Sequence, residues 1–565
     1  MNKIWQLAEK KSNDLVEQIL LNRKIDQKDW HNFLHPDFDH GLHDPFLLPD
    51  MEKTIARIIK AIENHEKIGI FGDYDADGIP ATALLSTVLK KTFDAEIIVY
   101  IPTRIEGYGL NIQGLNYLIE QGINILVTAD LGIREIETIE YLQQKNIDTI
   151  ITDHHEPGEK LPPAFAVINP KLKSSEYPFR ELSGGGVIFK LIQALMIRTN
   201  KITVNDLKWT LDLVAITTIC DMVPLVDENR IFTKFGLKVL QKSKRVGLNA
   251  LYEVANIDKL NIGTYTVGFQ IGPRLNAPGR LEIARDSYEL LVADNHQLAH
   301  ELAKELNKIN LVRQENLDKI LLEAKKEIET KKLYQNKVIC LANKKWSSGL
   351  IGLVAGKITE EYSRPCFIFE KGETFSKGSA RSIDNFHLVE VLSEIKIIRN
   401  FGGHAKAAGL TVATEKLDHF FSELLSIANK KLTDIDLTPK IIIDAQISID
   451  QLTLEFYNQL EQLEPFGLGN SRPVFLLNKV KAHDYKLIGE KSKHLKFKVN
   501  GIDCIAFNQA EKISILENDF LDLVFNFDKN VWNGSERLQL KIIDLKSATV
   551  NSSIISSEDE CQKKG

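Results

Sequence analysis

The 565-residue chain predicts an α/β fold: a parallel-sheet domain, a long connecting helix, a smaller α/β domain and a C-terminal β-barrel. Three observations predict it. Short apolar runs alternate with amphipathic stretches between residues 68 and 152, the pattern of a mostly parallel sheet covered by helices. The alternation resumes between 337 and 370, after a long charged stretch. From about Pro439 closely spaced β-rich segments (IIIDAQISI, RPVFLL, HLKFKV, LDLVFNF, LQLKIIDL) suit a small barrel.

Residues 1–45 read as a polar helical segment anchored by Trp5, Leu7, Trp30, Phe33 and Leu34. A helix over 51–65 leads into a strand at 68–71. Strands at 96–100, 124–128 and 149–152 then alternate with helices at 81–91, 111–121 and 134–145, and the first domain spans 46–285. Residues 286–332 are helical and charged, the connector. A strand at 337–341, a helix at 349–361, a strand at 366–370 and two glycine-rich turns, GSARS (378–382) and GGHAKAAG (402–409), make a domain over 333–435. The β-rich domain covers 436–550, and the Ser- and Glu-rich tail 551–565 reads as disordered.

Composition bounds the function. A hydrophobic share of 43% with 26% charged residues is that of a soluble globular protein. The net charge of -6 leaves nucleic acid open, because an acidic chain can carry a local basic groove. Five dispersed cysteines with no CxxC pair argue against a disulfide framework or a zinc ribbon, and for a reducing compartment. No apolar run reaches membrane-spanning length, and the N-terminus lacks an apolar signal core. A cytoplasmic protein with no membrane partner is expected.

The chemistry starts at IGIFGDYDADG (68–78), where a buried strand runs into Asp73, Asp75 and Asp77. Alternate residues of extended chain face one side, so these carboxylates can converge, and anions that close need a cation among them. An acidic turn capping a helix is the bland alternative. Two further strand ends decide against it: one reaches Asp130, the other Asp153-His154-His155. In parallel sheets ligands collect beyond the carboxyl ends of the strands. Asp221, between the apolar run LDLVAITTI and Pro224, is a carboxylate whose burial a cation would explain.

DYDADG, the Asp130 strand end, DHH at 153–155, the Asp221 segment, IGPRLNAPGR (271–280), GSARS and GGHAKAAG together resemble the ordered motifs of the DHH phosphoesterase superfamily, in its single-strand DNA exonuclease branch. The resemblance covers about residues 45–510. It implies a DHH catalytic domain, a DHHA1 substrate-binding domain and an OB-like nucleic-acid-binding domain. It also implies 5′-to-3′ hydrolysis of single-stranded DNA to 5′-mononucleotides by a two-metal mechanism, in repair and recombination. Two Mn²⁺ or Mg²⁺ ions would be held by Asp75, Asp77, Asp130, His154, His155 and Asp221, with Asp73 and Asp153 as ligands or as groups that orient them. Imidazole among carboxylates leans the site toward Mn²⁺.

Arg104, Arg274, Asn276 and Arg280, in loops rich in glycine and proline, would meet the DNA backbone; Ser379, Arg381 and His404 would hold a phosphate or the 5′ end. Lys491, Lys493, Lys496 and Lys498 around His494 form a basic strand-like patch that, with Phe497, could track single-stranded DNA. A solvated edge strand guarded by lysines is the alternative. Phe71 stands where small phosphatase relatives carry a histidine ligand, Leu131 where many relatives have Cys, and Ser347 where many have His. Besides single-stranded DNA, the expected partners are a single-strand-binding protein and a helicase, and the expected state is a monomer. The alternatives are a small-substrate phosphoesterase, acting on oligoribonucleotides or cyclic dinucleotides, and a non-catalytic replication scaffold.

Overall fold

The computed structural model describes residues 3–103, 106–107, 109–277, 284–532, 535–548 and 554–556. Two compact units divide the chain: Lys10–Asn310 with Asp444–Thr549, and Met1–Glu9 with Leu311–Ile443 and Val550–Gly565.

In the larger unit, runs of β-branched and small residues form five parallel strands: β1 (Ile68–Gly72), β2 (Ile97–Tyr100), β3 (Ile125–Ala129), β4 (Asp148–Thr152) and β5 (Ala166–Ile168). Every residue of β1 and β3 is buried, as strands covered on both faces require. The order is β2-β1-β3-β4-β5, so the strand sequence reverses between β1 and β3. Such a reversal opens a crevice at the carboxyl ends. Ile70, Val127 and Ala129 share one core with helices α1 (Gly78–Phe93) and α2 (Gly184–Thr199). Phe71, Leu126 and Ile151 face a second core with Leu115, Leu118 and Ile139. Helix α3 (Leu211–Cys220) is apolar on nearly every face and is buried between neighbours; α4 (Asp227–Gln241) follows.

The same unit holds a seven-stranded, mostly antiparallel sheet: β11 (Ala445–Gln446), β12 (Phe475–Val480), β13 (Ala482–Ile488), β14 (His494–Val499), β15 (Ile502–Ala506), β16 (Leu521–Trp532) and β17 (Ser535–Ser547), in the order β11-β12-β16-β17-β15-β14-β13. Its core takes in Ile19, Leu20 and Phe33 from the N-terminal helices Leu15–Asn22 and Trp30–Leu34. Buried Arg230 on α4 joins the parts: its guanidinium donates to the carbonyls of Phe33 (2.6 Å), Gln462 (3.0 Å), Leu463 (3.0 Å) and Glu464 (2.8 Å) and lies over the Phe33 ring.

The smaller unit is built on β6 (Ile339–Asn343), β7 (Cys366–Glu370), β8 (Phe375–Arg381), β9 (Ile398–Gly403) and β10 (Ala407–Ala413), ordered β9-β10-β8-β7-β6, with helices Ser348–Tyr362 and Leu417–Lys431. A separate three-stranded parallel sheet places Ile4–Leu7 between Lys440–Ile443 and Ile554–Ser556.

The structure departs from the sequence expectations in five places. Residues 4–7, expected to be helical, form a strand whose Trp5 is buried, because Lys440–Ile443 offers an edge to pair with. Three residues of the tail expected to be disordered pair in the same sheet. The connector is two helices, Ala284–Val292 and His296–Thr330, and the second opens where the Asn295 side chain accepts from the Leu298 N–H (3.0 Å). GPRLN is a helix, Gly272–Asn276, continuous with the π-helical turn Val267–Ile271, whose wider hydrogen-bonding pattern accommodates Pro273. GSAR lies within strand β8 rather than in a turn.

Candidate metal centre

The sheet ladder continues one residue past three strands. The backbone N–H of Asp73 reaches Ala129 O (3.2 Å), that of Asp130 reaches Thr152 O (3.0 Å), and that of Asp153 reaches Ile168 O (3.1 Å). Three aspartates are thereby set side by side along one edge, at the crevice between β1 and β3. Asp130 takes a left-handed backbone (φ 68°), a conformation that a short polar side chain tolerates.

The eight acidic and histidine residues singled out for the site converge there, seven in the donor sets and Asp153 on His155. His154 Nε2 lies 3.2 Å from Asp130 Oδ1, 3.6 Å from Asp221 Oδ2 and 3.8 Å from Asp77 Oδ2. Three overlapping donor sets (Asp130, His154 and His155; Asp77, His154 and Asp221; Asp73, Asp75 and Asp130) each bring one donor atom per residue within 4.8 Å of the others. Asp221 ends α3 as its C-cap. Asp130 Oδ1 and both ring nitrogens of His154 are buried without a hydrogen-bond partner. A buried carboxylate oxygen left so is costly, and a divalent cation would satisfy it. The donor set, hard oxygens with imidazole, fits Mn²⁺ or Mg²⁺.

The electrostatics agree. Burial, then the charge of Asp221, pushes Asp77 up to about 7; burial, then Asp75, does the same to Asp221. Burial, then their acidic neighbours, holds Asp73 and Asp130 well above the carboxylate range. Burial lowers His154 below its ordinary value, keeping the imidazole neutral and able to ligate. Burial opposes ionisation of His155, yet the bond from its Nδ1 to Asp153 Oδ1 (2.7 Å) lifts it to about 9. Asp153 also accepts the backbone N–H groups of Ile133, His154 and His155. Against its own burial, the bond from His155 keeps Asp153 below the usual range. Asp153 therefore acts as an orienting acceptor.

One part of the site escaped the sequence reading. The run Ser183-Gly184-Gly185-Gly186 opens α2, and the N–H groups of Gly184 and Gly185 donate to Asp77 Oδ2 (2.7 Å) and Oδ1 (2.8 Å). A helix N-terminus thus faces a buried carboxylate, where its partial positive charge is favourable. Gly184 is also a steric necessity: a Cβ there would sit 2.4 Å from Asp130 Oδ1. A capping serine ahead of three glycines and an apolar helix was the available signal. Phe71 and Leu131, where relatives carry ligating or sulfur-bearing residues, are fully buried packing groups.

The expected substrate residues are more scattered. Arg274 donates from Nε to Asn307 Oδ1 (2.9 Å) and from Nη1 to Gln270 O (2.7 Å); Asn276 ends the same helix, half-buried. Arg104 and Arg280 lie outside the described residues. In the smaller unit Arg381 closes β8, bonding Ala380 O (2.9 Å) and Ser379 Oγ (3.4 Å); exposed His404 sits in the β9–β10 turn, its N–H on Ala407 O (2.8 Å). Phe497 cannot stack on DNA, being fully buried on the core face of β14, because HLKFKV alternates apolar-in and lysine-out. Lys496 and Lys498 on the outer face pair with Asp503 (3.5 Å) and Asp484 (3.6 Å).

Comparison with known proteins agrees with this architecture. Models of the DHH family N-terminal domain, the DHHA1 domain and the RecJ OB domain match residues 67–218, 335–430 and 443–544. The single-stranded-DNA-specific exonuclease RecJ of Bacillus subtilis is 37% identical over 542 residues, covering 94% of this chain and 67% of its own. That of Haemophilus influenzae is 34% identical, covering 88% and 91%. The crystal structure of RecJ in complex with Mn²⁺ from Thermus thermophilus superposes with a TM-score of 0.81 at 26% identity, over 98% of this chain and 80% of that one. With all three domain models matched in order and relatives at 37% and 34% identity, the chain belongs to the RecJ family of single-stranded-DNA-specific exonucleases.

Proposed function

We propose that the chain hydrolyses single-stranded DNA from the 5′ end to 5′-mononucleotides, using two Mn²⁺ or Mg²⁺ ions. The observation that carries the reading is the set of buried ligand atoms left without a hydrogen bond, Asp130 Oδ1 and His154 Nε2, at the centre of three overlapping ligand sets. Asp75, Asp77, Asp130, His154, His155 and Asp221 are the proposed ligands, with Asp130 and His154 shared between sets and Asp73 completing the set around Asp75. Bound there, the ions supply an activated water and neutralise charge on the scissile phosphate.

The chain's own groups do the rest. The Gly184 and Gly185 N–H groups fix both Asp77 oxygens, so that carboxylate is oriented before any ion arrives. Asp153 accepts from His155 Nδ1 and so orients that ring within the site. Arg104, Arg274, Asn276, Arg280, Ser379, Arg381 and His404 are the proposed contacts to the DNA, resting on the family resemblance. On the same footing we place the protein in the cytoplasm, as a monomer acting in repair and recombination with a single-strand-binding protein and a helicase. No described helix is long and apolar enough to cross a membrane.

The test is purified protein with Mn²⁺ and single-stranded DNA labelled at either end, beside Asp130→Ala. Immediate release of the 5′ label as mononucleotide, absent in the variant, is expected. Cleavage confined to short RNA or cyclic dinucleotides would move the protein to the small-substrate branch; binding without cleavage would make it a scaffold.

A further inference from the structure

Two strand ends beside the metal centre are tied together by one side chain. Asn169, fully buried one residue past β5, donates from Nδ2 to the carbonyl of His155 (2.9 Å), while its Oδ1 accepts the backbone N–H of Lys171 (2.8 Å). Strands β4 and β5 are parallel neighbours that end on the same edge, so this bracket sets Lys171 beside the DHH run. From the other side Arg134 Nε donates to the carbonyl of Glu156 (2.9 Å), which holds the turn that follows His155.

Lys171 carries its ammonium to the rim of the site. The side chain is 18% exposed, and Nζ lies 3.3 Å from Glu156 Oε1, whose side chain is 59% exposed. An ion pair with so open a partner adds little stability, and it does not account for a lysine fixed through a buried asparagine. The lysine charge also reaches inward. Burial is the main influence on His154 and Asp221, lowering the one and raising the other, and the Lys171 ammonium lowers both. Those two residues and Asp77 make up one of the three donor sets. A fixed positive charge beside a site for dications opposes their binding, so it is of use there only to an anion that arrives with them.

We propose that Lys171 contacts a phosphate of the single strand next to the one being cut, exchanging Glu156 for a non-bridging phosphate oxygen. The proposal rests on the exonuclease reading of the metal centre. The ammonium sits against an exposed glutamate and not among the buried donors, which puts its phosphate beside the scissile one. Lysine meets phosphate as a compact point charge, so the contact is blind to base sequence and strengthens binding of the strand.

The test uses the full-length protein with Mn²⁺ and 5′-labelled single-stranded oligonucleotides in which one phosphate at a time is replaced by an uncharged methylphosphonate. For wild type, replacement of the phosphate next to the cut raises KM. For Lys171→Ala, KM on unmodified DNA rises about 10-fold, as for the loss of a hydrogen bond to a charged group, and that replacement no longer matters. The slope of log KM against log salt falls by about 0.7, the value for one single-strand phosphate contact. Lys171→Arg keeps the slope. Mn²⁺ affinity by calorimetry holds at least at the wild-type value, showing an intact metal centre. Glu156→Ala frees the ammonium, so its KM stays at or below that of wild type. If the lysine serves only the ion pair, Glu156→Ala and Lys171→Ala raise KM alike. That result overturns the proposal, and so does an unchanged salt slope in Lys171→Ala; both leave the exonuclease in place. Wild type that degrades no DNA overturns the exonuclease reading and this contact with it.

Discussion

Gly184→Ala tests the architecture of the metal centre through one methyl group. The new Cβ would lie 2.4 Å from Asp130 Oδ1 and 2.5 Å from its Cβ and Cγ, whereas ordinary contact begins near 3.4 Å. About 1 Å must therefore be made up by Asp130 or by α2, and α2 cannot retreat without drawing its N–H groups off Asp77. Overpacking of this kind costs about 1–3 kcal/mol in stability. If Asp130 is a ligand, as proposed, displacing its carboxylate by ~1 Å lowers the rate by about 100-fold. The assays are Mn²⁺ titration calorimetry, thermal melting and release of nucleotide from single-stranded DNA. The control is Gly186→Ala, two residues on, where the nearest atom to a Cβ is Leu182 Cβ at 3.4 Å. Since alanine favours a helix by about 1 kcal/mol, that variant should bind, melt and cut at least as well as wild type. Wild-type Mn²⁺ affinity in Gly184→Ala would refute the steric argument, and so would equal losses in the two variants.

Three further outcomes are expected. With Asp77 and Asp221 near 7 in the fold against about 3.9 in an unfolded chain, the folded state holds protons that the unfolded state has lost between those values. Stability of the metal-free protein should then fall as pH rises from 5 to 8, with a larger Mn²⁺-induced rise in Tm at pH 8 than at pH 6; a flat Tm for the chelated protein would contradict this. Asp153→Asn should return the His155 pKa from about 9 toward its ordinary value, seen by NMR titration, and cost about 10-fold to 100-fold in metal affinity or activity; an unmoved titration curve would remove Asp153 from its orienting role. Phe497→Ala should lower stability by about 3–5 kcal/mol in denaturant melts, since the ring is fully buried; a loss of DNA affinity with unchanged stability would return the ring to the DNA surface.

The metal centre was legible because parallel strands deliver their last residues to one edge, so Asp73, Asp130 and Asp153 needed only strand ends to be recognised. Division of labour within it was not legible. That Asp153 accepts four N–H groups while Asp130 keeps an unpartnered oxygen depends on backbone angles that the DHH motif does not spell. Gly184 was missed because its role is to leave room for a residue 54 positions earlier. GPRLN read as a loop because proline and glycine punctuate chains locally, yet the π-helical turn before it lets the helix run through Pro273. Phe497 was misplaced for a simpler reason: among outward lysines an aromatic ring looks exposed, whereas strand alternation puts it inside.

The three-stranded sheet has a consequence for how the chain is made. Its middle strand, Ile4–Leu7, is made more than four hundred residues before its neighbour Lys440–Ile443. At about 5–20 residues per second, Trp5 waits roughly 20–90 s for the strand that buries it. The parallel-sheet domain, closed over residues 68–168, can fold in the meantime. Synthesis therefore leaves Ile4–Leu7 without that partner strand for the interval, an open edge on which another extended segment could pair.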